Sequence, residues 1–113
     1  GEYMKSKQEI SKSEWKGYER GDFLLNGNDA VLVMPKQPTS DKRWIWRTEF
    51  FGAFDQADMA MVEKGWYLAY YKISNKYGSP GAVRLMNEFY NCLTERFSLN
   101  RKTVLFGFSR GGL

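Results

Sequence analysis

Thr103-Val104-Leu105-Phe106 runs directly into Gly107-Phe108-Ser109-Arg110-Gly111, and this junction decides how the rest of the sequence is read. The first four residues read as a short buried strand. The next five have the Gly-x-Ser-x-Gly spacing of a nucleophile elbow, in which a serine is held on a sharp turn between a strand and a helix. Gly107 and Gly111 suit such a turn because, lacking Cβ, they let neighbouring backbone pack close to it. The competing reading is a glycine-rich turn whose serine makes only a local hydrogen bond.

The 113 residues contain no histidine and one cysteine, Cys92. A Ser-His-Asp triad therefore cannot be completed from these residues. A histidine-ligated metal site, a cysteine cluster and an internal disulfide are excluded in the same way, and no metal or other cofactor is expected. Cys92 sits beside apolar residues in a helical pattern and reads as a small core residue. If Ser109 is a nucleophile its base lies elsewhere, so the expectation is the front part of a longer fold, inactive as a hydrolase by itself.

Composition narrows the classes further. Aromatic residues make up 17% of the chain, which implies a large apolar area seeking burial. Lys and Arg number 17 against 13 Asp and Glu, interspersed with no basic tract, so the charge reads as a mixed solvated surface and no nucleic-acid partner is expected. No apolar stretch is long enough to span a membrane, and no membrane partner is expected. No secretory leader is visible, and the compartment is left open.

Going back along the chain, residues 1–16 are polar and lysine-rich, a loose leader docking by Trp15 or a short helix. Residues 17–113 are read as a single domain portion, cut after the elbow. Phe23-Leu24-Leu25 and Ala30 to Met34 flank Asn26-Gly27-Asn28-Asp29, a strong hairpin signal because Asn-Gly tolerates positive φ. Trp44 to Arg47 reads as a strand continuing into the aromatic loop Phe50-Phe51-Gly52. Asp55 to Lys64 reads as a helix with Asp55 as N-cap, Ala57, Ala60, Met61 and Lys64 on one face, and Gly65 after its end. Trp66 to Ile73 is a near-continuous apolar run, the pattern of a central strand covered on both faces. Ser79-Pro80 suits a helix start, and Val83, Met86, Tyr90, Leu93 and Phe97 follow as an amphipathic stripe widened by Leu85, Phe89 and Cys92.

Strands alternating with helices in this way predict an α/β fold: a leading β-hairpin, then parallel strands with crossover helices. Trp44-Ile45-Trp46-Arg47 with Phe50-Phe51-Gly52, Tyr77-Gly78-Ser79-Pro80, and Gly107-Phe108-Ser109-Arg110-Gly111-Gly112 together resemble the N-terminal part of an α/β-hydrolase, up to the nucleophile elbow. More narrowly they resemble a bacterial esterase-like branch related to prolyl-oligopeptidase-type hydrolases. The loop after the third strand departs from that family in lacking a His-Gly-Gly signature; Trp46-Arg47-Thr48 stands there instead.

The resemblance implies a serine esterase in the intact protein, with Ser109 as nucleophile and an acid and histidine supplied from beyond the elbow. Backbone N–H groups of Arg110 and Arg47 would hold the oxyanion. The Arg47 side chain either binds an acidic substrate group or pairs with a carboxylate such as Glu49. Trp46 and Tyr77 are possible pocket lining. The implied partners are a small ester or acylated carbohydrate, and either the missing half of the fold or a second copy to cover the open sheet edge. The alternative function is a non-catalytic carbohydrate- or protein-binding module, using Trp44, Trp46, Phe50, Phe51 and Tyr77 as an exposed platform.

Overall fold

A computed structural model describes residues 10–47, 55–73 and 81–106. The chain order is β1 (Ser11–Trp15), β2 (Tyr18–Leu25), β3 (Asn28–Met34), β4 (Trp44–Arg47), α1 (Asp55–Glu63), β5 (Tyr67–Tyr71), α2 (Ala82–Asn91), a π-helical turn (Cys92–Arg96) and β6 (Val104–Phe106). The strands form one six-stranded sheet in the order β1-β2-β3-β5-β4-β6.

This corrects the expected fold class. Pairings β1–β2, β2–β3 and β3–β5 are antiparallel, and only β4–β5 and β4–β6 are parallel. The fold is a strand-rich, mixed and mostly antiparallel sheet with two α-helices among the described residues, not the parallel, crossover-built α/β-hydrolase sheet expected. The physical reason lies in the connections. A two-residue turn makes its flanking strands antiparallel neighbours, and two such turns come first. Asn26 and Gly27 (φ 55° and 79°) join β2 to β3, and Lys16 and Gly17 (φ 52° and 89°) join β1 to β2. Consecutive positive φ values are the signature of hairpin turns whose twist matches the strands. Part of the supposed leader is thus an edge strand, with Trp15 opposite Tyr18 and only Trp15 buried.

The core has two layers, one on each face of the sheet. On one face Phe23, Leu32, Trp44, Trp46, Ala69 and Tyr71 pack with Phe89 and Leu93. On the other, Val31, Val33, Ile45 and Leu68 pack with Trp15 and Val62. β5 lies between β3 and β4 with Leu68, Ala69 and Tyr71 at 0% exposure, which suits its continuous apolar run.

Helix α1 departs from its expected face, whereas α2 packs Leu85, Met86, Phe89 and Tyr90 of its expected stripe in or against the core and departs only at Val83. In α1 the inward residues are Asp58 and Val62, while Ala57, Ala60 and Lys64 are exposed. In α2 the buried residues are Ala82 and Phe89, and Val83 points outward at 66% exposure. The N-cap of α2 is Gly81, which makes no side-chain cap; Ser79 and Pro80 lie outside the described residues. Past Asn91 the helix widens into the π-helical turn. Ser98 (φ 60°) then reverses the chain, and its neighbour Leu99 donates its N–H to Leu93 O at 3.0 Å. Asn26 in the β2–β3 turn donates to the Glu88 carboxylate, tying the hairpin to α2.

Candidate functional site at the carboxyl ends of β4 and β6

β4 carries Trp44-Ile45-Trp46-Arg47, and all four residues are buried. Strand alternation sends Trp44 and Trp46 to one face and Ile45 and Arg47 to the other. On the first face Trp44 stacks with Trp46 (centroids 5.7 Å apart), and Trp46 meets Phe89 edge-on at 5.4 Å. On the second, the guanidinium of Arg47 reaches Asp58 of α1, Nε to Oδ2 at 3.4 Å, with side chains 5% and 0% exposed. Of the two roles open to the Arg47 side chain, a pairing with a carboxylate is the one present. The partner is Asp58; Glu49 lies outside the described residues. Such burial is tolerable for two charges only because each offsets the other's desolvation.

Register levels the strand ends. Arg47, the last residue of β4, is opposite both Tyr70 of β5 and Phe106, the last residue of β6. The chain therefore leaves β4 and β6 at the same sheet edge. Among the expected site residues, Trp46 and Arg47 fall at this edge. Ser109, Arg110, Gly107, Gly111 and Tyr77 lie outside the described residues.

The two tryptophans of β4 differ in one polar detail. Trp44 Nε1 donates to Asn100 O at 2.6 Å, whereas the buried Trp46 Nε1 has no hydrogen-bond partner among the described residues. Trp44→Phe is accordingly expected to destabilise more than Trp46→Phe, by about 1 kcal/mol, the net worth of one hydrogen bond with both sites losing similar volume. Urea denaturation of the two variants checks this; equal losses contradict it.

Cys92 does not compete as a nucleophile. Burial pushes its thiol up, Arg96 offsetting only part of the rise, so it is protonated at neutral pH. Among the described residues no group of His, Cys, Asp and Glu could hold a metal ion, and no helix is long and apolar enough to cross a membrane.

At the opposite, amino ends of β4, β5 and β6 is an open cleft of about 400 Å³, lined by Asp41, Arg43, Trp66, Asn100 and Lys102 among others. Its polar groups largely satisfy one another. Arg43 Nε donates to Asp41 at 2.9 Å and lies over the Trp66 ring, and Asn100 Nδ2 donates to Asp41 O at 2.9 Å. Gly65, beside it, is in close approach: an added Cβ would sit 2.5 Å from Gln37 O. None of the residues picked out from the sequence as site residues falls in this cleft. Its parts come from three separate strand starts, which no local pattern brings together.

Comparison with protein-family models, with curated proteins and with solved structures finds no match.

Proposed function

We propose that these residues carry the nucleophile of a serine hydrolase acting on a small ester or acylated carbohydrate, with Ser109 as the attacking group. The supporting observation is the register of β4 and β6: Arg47 and Phe106 are level, so the strand that leads into the Gly107–Gly111 motif ends level with the end of β4. In this reading Ser109 Oγ attacks the acyl carbonyl and its proton passes to a histidine. The tetrahedral oxyanion accepts a hydrogen bond from the backbone N–H of Arg110; the Arg47 backbone, paired in register with both β5 and β6, belongs to the sheet and is not the second donor expected from the sequence. Collapse expels the alcohol, which takes the proton from the histidine, and water then releases the acid. With no histidine in the sequence, that base comes from polypeptide outside these 113 residues.

The binding-module alternative loses its main support. Trp44 and Trp46, needed on the surface as a platform, are 0% and 5% exposed. Phe50, Phe51 and Tyr77 lie outside the described residues.

The test is turnover of p-nitrophenyl acetate by the full reading frame that carries these residues. Ser109→Ala is expected to lower kcat/KM by more than about 10³-fold, and the 113 residues alone are expected to show only the background rate. Activity of the full polypeptide that survives Ser109→Ala refutes the proposal.

A further inference from the structure

We propose that the Asn26–Gly27 turn is a site of covalent self-modification, converting Asn26 to an aspartyl or isoaspartyl residue, and that Glu88 of α2 restrains the conversion. Asn26 is the one asparagine of the sequence followed by glycine. The Gly27 backbone nitrogen is the nucleophile. It loses its proton to solvent hydroxide and attacks Asn26 Cγ, closing a succinimide ring; the Cγ–Nδ2 bond breaks and ammonia leaves. Water then adds to either imide carbonyl and opens the ring. The net change consumes a water, releases an ammonia and turns an amide into a carboxylate.

The fold leaves the reacting atoms open. The β2–β3 ladder closes at Leu25 opposite Asn28, and neither residue of a two-residue loop puts its N–H into such a ladder, so the Gly27 nitrogen is not held by the sheet. Asn26 and Gly27 are both exposed, and apart from chain neighbours nothing lies within 4 Å of where a Gly27 Cβ would stand. Asn87 and Asn91 differ in this respect. The residue after Asn87 lies inside α2, and the residue after Asn91, Cys92, donates its N–H to Glu88 O and Phe89 O. Glu88 acts on the turn from outside it. In the folded protein its carboxylate accepts from the Asn26 amide. The reaction requires that amide to leave Glu88 and swing over the Gly27 nitrogen, and the neighbouring negative charge disfavours the anionic nucleophile. In the product a carboxylate stands where the amide donated, and attraction to Glu88 becomes repulsion. An isoaspartyl product also adds a main-chain atom to the loop directly after Leu25, whose carbonyl is held by the Tyr71 hydroxyl at 2.6 Å. Either product unties the hairpin from α2, and refolding does not reverse it.

The experiment incubates the full reading frame at neutral pH over weeks and follows the peptide carrying residues 26 and 27 by mass spectrometry, with aspartyl and isoaspartyl forms resolved by chromatography. Progressive conversion of Asn26 is expected, with Asn87 and Asn91 intact. Glu88→Ala, which puts a strong helix former in α2, is expected to convert about fivefold faster, the gain in open turn from releasing one hydrogen bond. Where that variant does not fold, Glu88→Leu, equally without an acceptor for the amide, takes its place. Asn26→Asp makes the aspartyl product directly. It is expected to raise hydrogen exchange at the turn end of the β2–β3 ladder about fivefold, and adding Glu88→Gln, which faces the new carboxylate with a donor, is expected to reverse most of that rise. An Asn26 that stays intact in both the parent and the Glu88 variant overturns the site. Conversion that is no faster without the Glu88 carboxylate overturns the restraint, and exchange unchanged by Asn26→Asp overturns the untying of the hairpin.

Discussion

Asp58→Ala is expected to lower the unfolding free energy by about 3–5 kcal/mol, the usual cost of breaking a buried ion pair from one side. The carboxylate is at 0% exposure and the Arg47 side chain at 5%. Removing Asp58 leaves the Arg47 guanidinium buried without its carboxylate and unable to reach water without opening the contact between β4 and α1. The apolar exchange of both residues should behave differently, ranging from neutral to a gain of about 1–4 kcal/mol, because it removes both desolvation penalties together. A thermodynamic cycle measured by urea denaturation separates the two cases. A loss below about 1 kcal/mol for Asp58→Ala, the range of exposed pairs, would show that the pair is solvated.

Phe89→Ala is expected to cost a further large amount, about 3–5 kcal/mol, from lost transfer free energy plus the cavity left behind. Phe89 is fully buried, its ring stacked on Tyr71 (centroids 4.6 Å apart, planes 13° from parallel) and edge-on to Trp46. Tyr71 is itself pinned, its hydroxyl donating to Leu25 O at 2.6 Å, so the site has little freedom to collapse. Val83→Ala, one turn and a half earlier on the same helix, is the control. At 66% exposure it should change stability by less than about 0.5 kcal/mol. Comparable losses at 83 and 89 would mean that α2 buries a different face.

These residues also show which features were legible in the sequence. The hairpin at Asn26-Gly27 and the buried run of β5 were, because the chemistry of a turn and the two-sided burial of a strand are local. β1 was not: Ser11 to Glu14 are polar and exposed, and an edge strand of this kind carries almost no burial signal. The Lys16-Gly17 turn between Trp15 and Tyr18 was the available clue. The face of α1 was misread because its key inward residue is a carboxylate. Asp58 faces inward because Arg47, eleven positions earlier, is buried beside it, and hydrophobic periodicity cannot register such a pairing. The α2 stripe was legible: Leu85, Met86, Phe89, Tyr90, Cys92, Leu93 and Phe97 all pack in or against the core, and only Val83, at its amino end, was counted inward on spacing alone and faces outward, with Ala82 buried beside it. The class of the sheet was missed because alternation of strands and helices reports only on β4, β5 and β6. The antiparallel majority is set by two short turns and by β3 pairing with β5.

The most direct test of the account is covalent labelling of the full reading frame with a fluorophosphonate, followed by peptide mass spectrometry. The account predicts one modified serine, Ser109, on the peptide following β6, and no labelling after Ser109→Ala. An adduct on another serine, or an unmodified Ser109 in a preparation that hydrolyses p-nitrophenyl acetate, contradicts it.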